Sequence, residues 1–181
     1  SGIIAANINN ALGIAGIAPN AQIMPLRVLN RQGVGTYSDV ASAIIYAVDH
    51  GAQVINLSLG GPNPSSMLQE AIDYAIARNV VIVASAGNTG SEQVLYPALY
   101  EPVISVGAVD QNAEHSSFSA YGAQVDIYAP GRDILTTGML GDYVTMTGTS
   151  LSAPFVTGAI VVEQSLNRTL VTNHGTLYIY S

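Results

Sequence analysis

The sequence predicts an α/β protein: a doubly wound, mainly parallel sheet flanked by helices. Three observations carry that expectation. Strand-like and helix-like segments alternate through the first half of the 181-residue chain, the order that βαβ units with right-handed crossovers produce. The run 80–87, VVIVASAG, is almost continuously apolar, as expected of a parallel strand covered on both faces. Small and glycine-rich turns follow several strand candidates, at the carboxyl ends where α/β sheets gather their ligands.

Taken in chain order, 21–29 (AQIMPLRVL) reads as a buried strand ending near Gly33 and Gly35. Thr36 to His50 follows with Val40, Ile44, Ala47 and Val48 at helical spacing, Thr36 or Ser38 as cap and Gly51 as terminator. Residues 53–59 (QVINLSL) form the next strand, stopped by Gly60, Gly61 and Pro62. Ser65 to Arg78 reads as a helix whose inner face is Met67, Ile72, Ala75 and Ile76, with Gln69, Glu70 and Asp73 in water. After the 80–87 run, strands are expected at 102–109, 123–130 and 142–147, then a helix from Ser150 into AIVV. The loops at 33–35, 58–61, 85–88 and 148–150 would then share one edge of the sheet.

Composition narrows the chemistry. The chain is 49% hydrophobic and only 9% charged, against roughly 25% charged in an ordinary soluble domain. It reads as one globular unit with a large core or with covering parts elsewhere, and it has no transmembrane-length apolar run. Its net charge is −7, with five scattered arginines and no lysine. No basic stripe exists to track phosphates, so neither nucleic acid nor membrane is an expected partner. The absence of cysteine removes disulfides, thiol catalysis and cysteine-based zinc sites.

Ser150 is the first candidate reactive group. Gly148 turns the chain so that its hydroxyl enters the first turn of a helix, where unpaired N–H groups and the helix dipole can meet a developing oxyanion. Those residues alone fit an N-cap serine as well as a nucleophile. Asn88, in SAGN, could aim two amide donors into the same crevice, or could be a turn asparagine.

Residues 148–158, GTSLSAPFVTG, fill every fixed position of the motif G-T-S-x-[SA]-x-P-x-V-x-G, through which the chain resembles the subtilisin-like (subtilase) serine peptidases over about residues 1–166. The remaining 167–181 departs from that pattern as a divergent tail. The resemblance implies Ser150 as nucleophile and Asn88 as oxyanion donor. Loss of such a donor costs about 2.7–4 kcal/mol, a value that comes from a subtilisin and is inherited with the family. It also implies that Gly33, Val34 and Gly35 on one side and Ser58, Leu59 and Gly60 on the other clamp an extended polypeptide substrate as an added strand. Ser85, Ala86 and Gly87 would line the same groove, and Leu95 would floor the first specificity pocket, favouring small or medium apolar side chains. A propeptide partner, an extracellular location and no catalytic cofactor are implied likewise. Residues 7–14 (NINNALGI) resemble a structural calcium loop in which Asn10 would supply an amide oxygen, although the loop holds no carboxylate.

The resemblance also exposes a gap. Subtilases order their triad Asp, His, Ser, and Ser1 to Ala6 match the end of the histidine motif H-G-T-x-V-[AS]-G and the helix after it. The expectation is a truncated catalytic domain, nearly inactive by itself, whose Asp and His lie upstream. Of the three histidines, His50 reads as a helix C-terminal residue, His115 as part of a polar turn, and His174 as a chance H-G-T. A non-catalytic peptide-binding module using the same groove is the alternative function. An α/β-hydrolase-type esterase is disfavoured because Ser152 stands where G-x-S-x-G needs its second glycine.

Overall fold

The computed structural model describes residues 1–138 and 141–169. Its centre is a four-stranded, wholly parallel sheet in the order β1 (Val54–Leu57), β2 (Val81–Ser85), β3 (Ile104–Val109), β4 (Ile127–Pro130). Alternation along the central strand splits the core in two. Ile82 and Ala84 face one apolar cluster, whereas Val83 joins Val106, Ala129 and Ala153 in another. Each face of the sheet therefore needs its own helical cover.

On the first face lie α2 (Tyr37–Asp49) and α3 (Ser66–Ile76). α2 begins with a complete capping box, Thr36 accepting from the Asp39 N–H while Asp39 reaches back, which settles Thr36 as the cap. Its stripe of Val40, Ala41, Ile44, Ala47 and Val48 is buried. α3 starts at Ser65, which caps the Leu68 N–H, and buries Leu68, Ala71, Ile72 and Ala75. The second face is covered by α4 (Thr149–Thr169), which packs Phe155, Val156 and Ile160 against Val54, Val81, Ile104 and Ile127. The short α1 (Gly2–Ala5) docks against α4.

Two local expectations fail. Residues 21–29 join no sheet and are exposed from Gln22 to Arg27; among the described residues no strand pairs with them, and an apolar run without a ladder partner is not a strand. Met67 is 53% exposed, and Leu68 takes the inward position instead. The strand expected at 142–147 is present as β6 (Tyr143–Met146), paired antiparallel with β5 (Ile134–Thr137) in a separate two-stranded sheet. β5, whose ILTT begins four residues beyond Pro130, is a strand that the sequence analysis does not anticipate.

Candidate active site

The carboxyl ends of β1 and β2 and the amino end of α4 meet at one place. Gly148 makes the turn into the helix with φ +153°, and its N–H donates to the Gly131 carbonyl at 2.8 Å. A Cβ at 148 would stand 3.2 Å from Asn88 Nδ2, so the residue before Thr149 must be nearly without a side chain. Asn88 approaches from the loop after β2. Its Oδ1 accepts both the Thr149 N–H at 2.9 Å and the Thr149 hydroxyl at 3.0 Å. Thr149 Oγ1 in turn accepts from the Gly87 N–H at 3.3 Å.

That arrangement orients the amide. With Oδ1 committed to the helix N-terminus, the Nδ2 group meets no acceptor among the described residues. The Ser150 N–H likewise has none. Two unpaired donors beside a positive helix end form a place for an anion or a developing oxyanion. The helix cap here comes from Asn88, so the cap reading of Ser150 loses its basis.

Ser150 is half-buried and tied to the loop after β1 from both sides. Its hydroxyl donates to the Ser58 carbonyl at 3.4 Å, and the Ser58 hydroxyl donates to the Ser150 carbonyl at 2.8 Å. The second bond has a cause in the sequence. Position 154, four residues on, is proline, which has no N–H to give the Ser150 carbonyl its ordinary helical partner. Ser58 supplies the missing donor. Behind it, Asn56 Nδ2 donates to Ser58 Oγ at 2.9 Å, and Thr157 Oγ1 reaches Asn56 Oδ1 at 2.9 Å. A polar chain thus runs from the third turn of α4 through β1 to the serine. Sequence reasoning missed Asn56, Thr149 and Thr157; an asparagine inside the apolar strand VINL was the available signal.

The groove residues are brought together in part. Leu95 packs between two glycines: a Cβ on Gly87 would lie 2.7 Å from its Cγ, and one on Gly60 would lie 3.0 Å from its Cβ. Ser85, Ala86 and Gly87 are buried at the end of β2, with the Ala86 carbonyl accepting the Leu95 N–H at 2.9 Å. Ser58 to Gly60 border that cluster. Gly33 to Gly35 form a separate exposed turn, closed by Asn30, whose Oδ1 accepts the N–H groups of Gln32 and Val34. Val34 is 61% exposed.

Neither described histidine bonds Ser150. His50 caps the C-terminus of α2 with Nδ1 2.8 Å from the Tyr46 carbonyl, and His115 contacts Tyr121 and Tyr128. His174 lies outside the described residues. In the 7–14 loop, Asn9, Ala11 and Gly13 all have positive φ, and Asn10 Oδ1 accepts the Leu12 N–H at 3.1 Å. The resemblance rests the ion on backbone carbonyls of this loop together with that amide oxygen, and no group of three His, Asp or Glu gathers among the described residues to add carboxylates.

Parallel sheet, helix-borne serine and amide donor define a class, the α/β proteins with a nucleophile-type serine at a helix N-terminus. The profile of the subtilase family (peptidase S8) matches residues 1–176. A thermophilic serine proteinase of Bacillus sp. (strain AK1) is 52% identical over 169 residues, covering 92% of this chain and 42% of that relative. Thermitase of Thermoactinomyces vulgaris is 47% identical over 168 residues, covering 93% of this chain and 60% of thermitase. The solved structure of the prenylagaramide maturation protease PagA superimposes with a TM-score of 0.85 at 31% identity, covering 92% of this chain and 62% of PagA. The chain belongs to the subtilase family. It spans about half the length of these relatives.

Proposed function

We propose that the protein containing this chain is a subtilisin-type serine endopeptidase in which Ser150 is the nucleophile and Asn88 the oxyanion donor. The observation that carries the reading is the Asn88 amide, held by Thr149 through Oδ1 so that Nδ2 is left free beside the Ser150 N–H. In the reaction, Ser150 Oγ attacks the scissile carbonyl carbon and gives its proton to a base. The carbonyl oxygen becomes the oxyanion and is met by Asn88 Nδ2 and the Ser150 N–H. Collapse returns that proton to the departing amine and leaves an acyl ester on Oγ, which water then hydrolyses.

The base and the acid that orients it are not found among the described residues. We place them on the part of the relatives' length that this chain does not span, so the 181 residues alone should be nearly inactive. Removing a triad member leaves only about 10³ to 10⁴ over water, a range known partly from subtilisin itself. An extended polypeptide would run between Gly33–Gly35 and Ser58–Gly60, with its side chain toward Ser85–Gly87 and Leu95. Because Leu95 fills the space between Gly60 and Gly87, the pocket suits small or medium apolar side chains. The domain is placed at 1–166 with 167–181 as its divergent tail, and secretion and a propeptide partner are inferred from the family. Asn10 could serve a structural calcium only with carboxylates from elsewhere.

A fluorophosphonate probe tests the reading. Labelling of Ser150 is expected in a polypeptide extended to supply the base, and little or none in the 181-residue chain. No labelling in either would replace the peptidase with a peptide-binding module.

A further inference from the structure

Thr157 is 3% exposed, on a helix that packs Phe155, Val156 and Ile160 against the sheet. A hydroxyl buried in such a place is costly unless it is bonded. Its Oγ1 has two acceptors in reach, Asn56 Oδ1 at 2.9 Å and the Ala153 carbonyl at 3.0 Å. One hydroxyl has one proton, so it can serve only one of them fully. The helix already offers Ala153 the N–H of Thr157, four residues on. Asn56 Oδ1 has no other donor among the described residues.

The direction of every bond in this chain follows from Pro154. The Ser150 carbonyl gets no N–H from position 154, so the Ser58 hydroxyl gives its proton there, at 2.8 Å. Ser58 Oγ is then an acceptor, which sets Asn56 Nδ2 toward it at 2.9 Å. Asn56 Oδ1 is thereby turned to Thr157, and only a donor answers it. Turning the amide over would offer Oδ1 to the Ser58 proton and leave the Ser150 carbonyl without one. The Thr157 proton opposes that turn. Without it, Oδ1 is an unpaired acceptor that competes with the Ser150 carbonyl for the Ser58 proton.

Ser150 is where the chain of bonds ends. Its carbonyl is fixed by Ser58, whereas its own hydroxyl is held loosely, 3.4 Å from the Ser58 carbonyl, longer than an O–H···O bond normally is. The peptide unit that bears the hydroxyl is therefore pinned while the hydroxyl proton stays available to a base. Ser150 and Thr157 stand close to two helical turns apart, so the bonds fasten one side of α4 to β1 and the loop after it at both the first and the third turn. Placement matters to the rate, since a misplacement of about 1 Å at a reacting atom can cost about 10²-fold.

We propose that Thr157, acting through Asn56 and Ser58, is a positioning residue for the Ser150 nucleophile. This rests on the peptidase reading of Ser150, so the polypeptide extended to supply the base is the material for its test. Fluorophosphonate labelling is followed against probe concentration, which separates the maximal rate from the half-saturating concentration. Thr157→Val keeps the shape and removes the hydroxyl; its maximal rate is expected to fall about fivefold to tenfold with half-saturation unchanged. Thr157→Ser, which keeps the hydroxyl, is expected to label at the parent rate. A bond that served stability alone would lower the melting temperature of Thr157→Val and leave its labelling rate as in the parent. With the parent labelled, the role of Thr157 is overturned by an equal rate in Thr157→Val, by a change confined to half-saturation, or by a Ser variant as slow as the Val variant; Ser150 remains the nucleophile in each case. A parent that is not labelled removes the nucleophile itself, and the proposal with it. Should Thr157→Val lose its fold by circular dichroism, Thr157→Ala takes its place with the same expectations.

Discussion

Asn88 holds two jobs in one side chain, and its two ends can be separated. Oδ1 pairs the first N–H and the hydroxyl of α4, while Nδ2 meets no acceptor among the described residues and is the donor proposed for the oxyanion. Asn88→Ala removes both and should lower folding stability by about 1 kcal/mol, the ordinary worth of a helix cap. Asn88→Asp keeps the acceptor, now a carboxylate beside the positive helix end, so its melting temperature should stay at or above that of the parent. Both variants should lose about 100-fold or more in acylation rate in the extended, base-supplying polypeptide. Equal melting of the two variants would show that Oδ1 is no cap. Ser58 admits a similar test: Ser58→Ala leaves the Ser150 carbonyl without a donor because Pro154 cannot replace it. A loss of about 1–3 kcal/mol in urea titration is expected, and an unchanged midpoint would mean that water takes over the bond.

The elements owe their positions to which side of each strand and helix is apolar. In α3 the difference between the two faces is sharp: Ile72 is fully buried, whereas Met67 is 53% exposed. Ile72→Ala should cost about 2–5 kcal/mol by opening a cavity under the sheet, while Met67→Ala should stay within about 0.5 kcal/mol. Chemical denaturation of the two variants reads this directly, and comparable losses would mean that α3 is rotated from the orientation described. Of the inner face expected from sequence, Ile72, Ala75 and Ile76 pack inward and only Met67 does not, its place being taken by the adjacent, equally apolar Leu68. Periodicity offers no means to choose between such neighbours; packing against α2 does. The α2 cap, by contrast, was nearly legible, because Thr36 and Asp39 stand at the capping-box spacing.

At the scale of the whole molecule, an apolar surface remains uncovered along 8–34, where Ile8, Leu12, Ile23, Met24, Leu26 and Val34 are all exposed. Patches of that kind drive association. The isolated 181-residue chain should elute from a sizing column as larger species in proportion to its concentration, and a monomer at all concentrations would show that these side chains are shielded some other way. The sequence by itself determined the family, the parallel sheet and the place of Ser150 and Asn88, because the GTSLSAPFVTG turn, the apolar run 80–87 and the alternation of strand and helix are local patterns. It could not decide whether 21–29 is a strand, since a strand exists only with a partner. Nor could it show which atom of Asn88 meets Thr149 or that Ser58 donates where Pro154 cannot. Those facts join residues up to 92 positions apart, and only the closing of the sheet with its helices brings such residues within hydrogen-bonding distance.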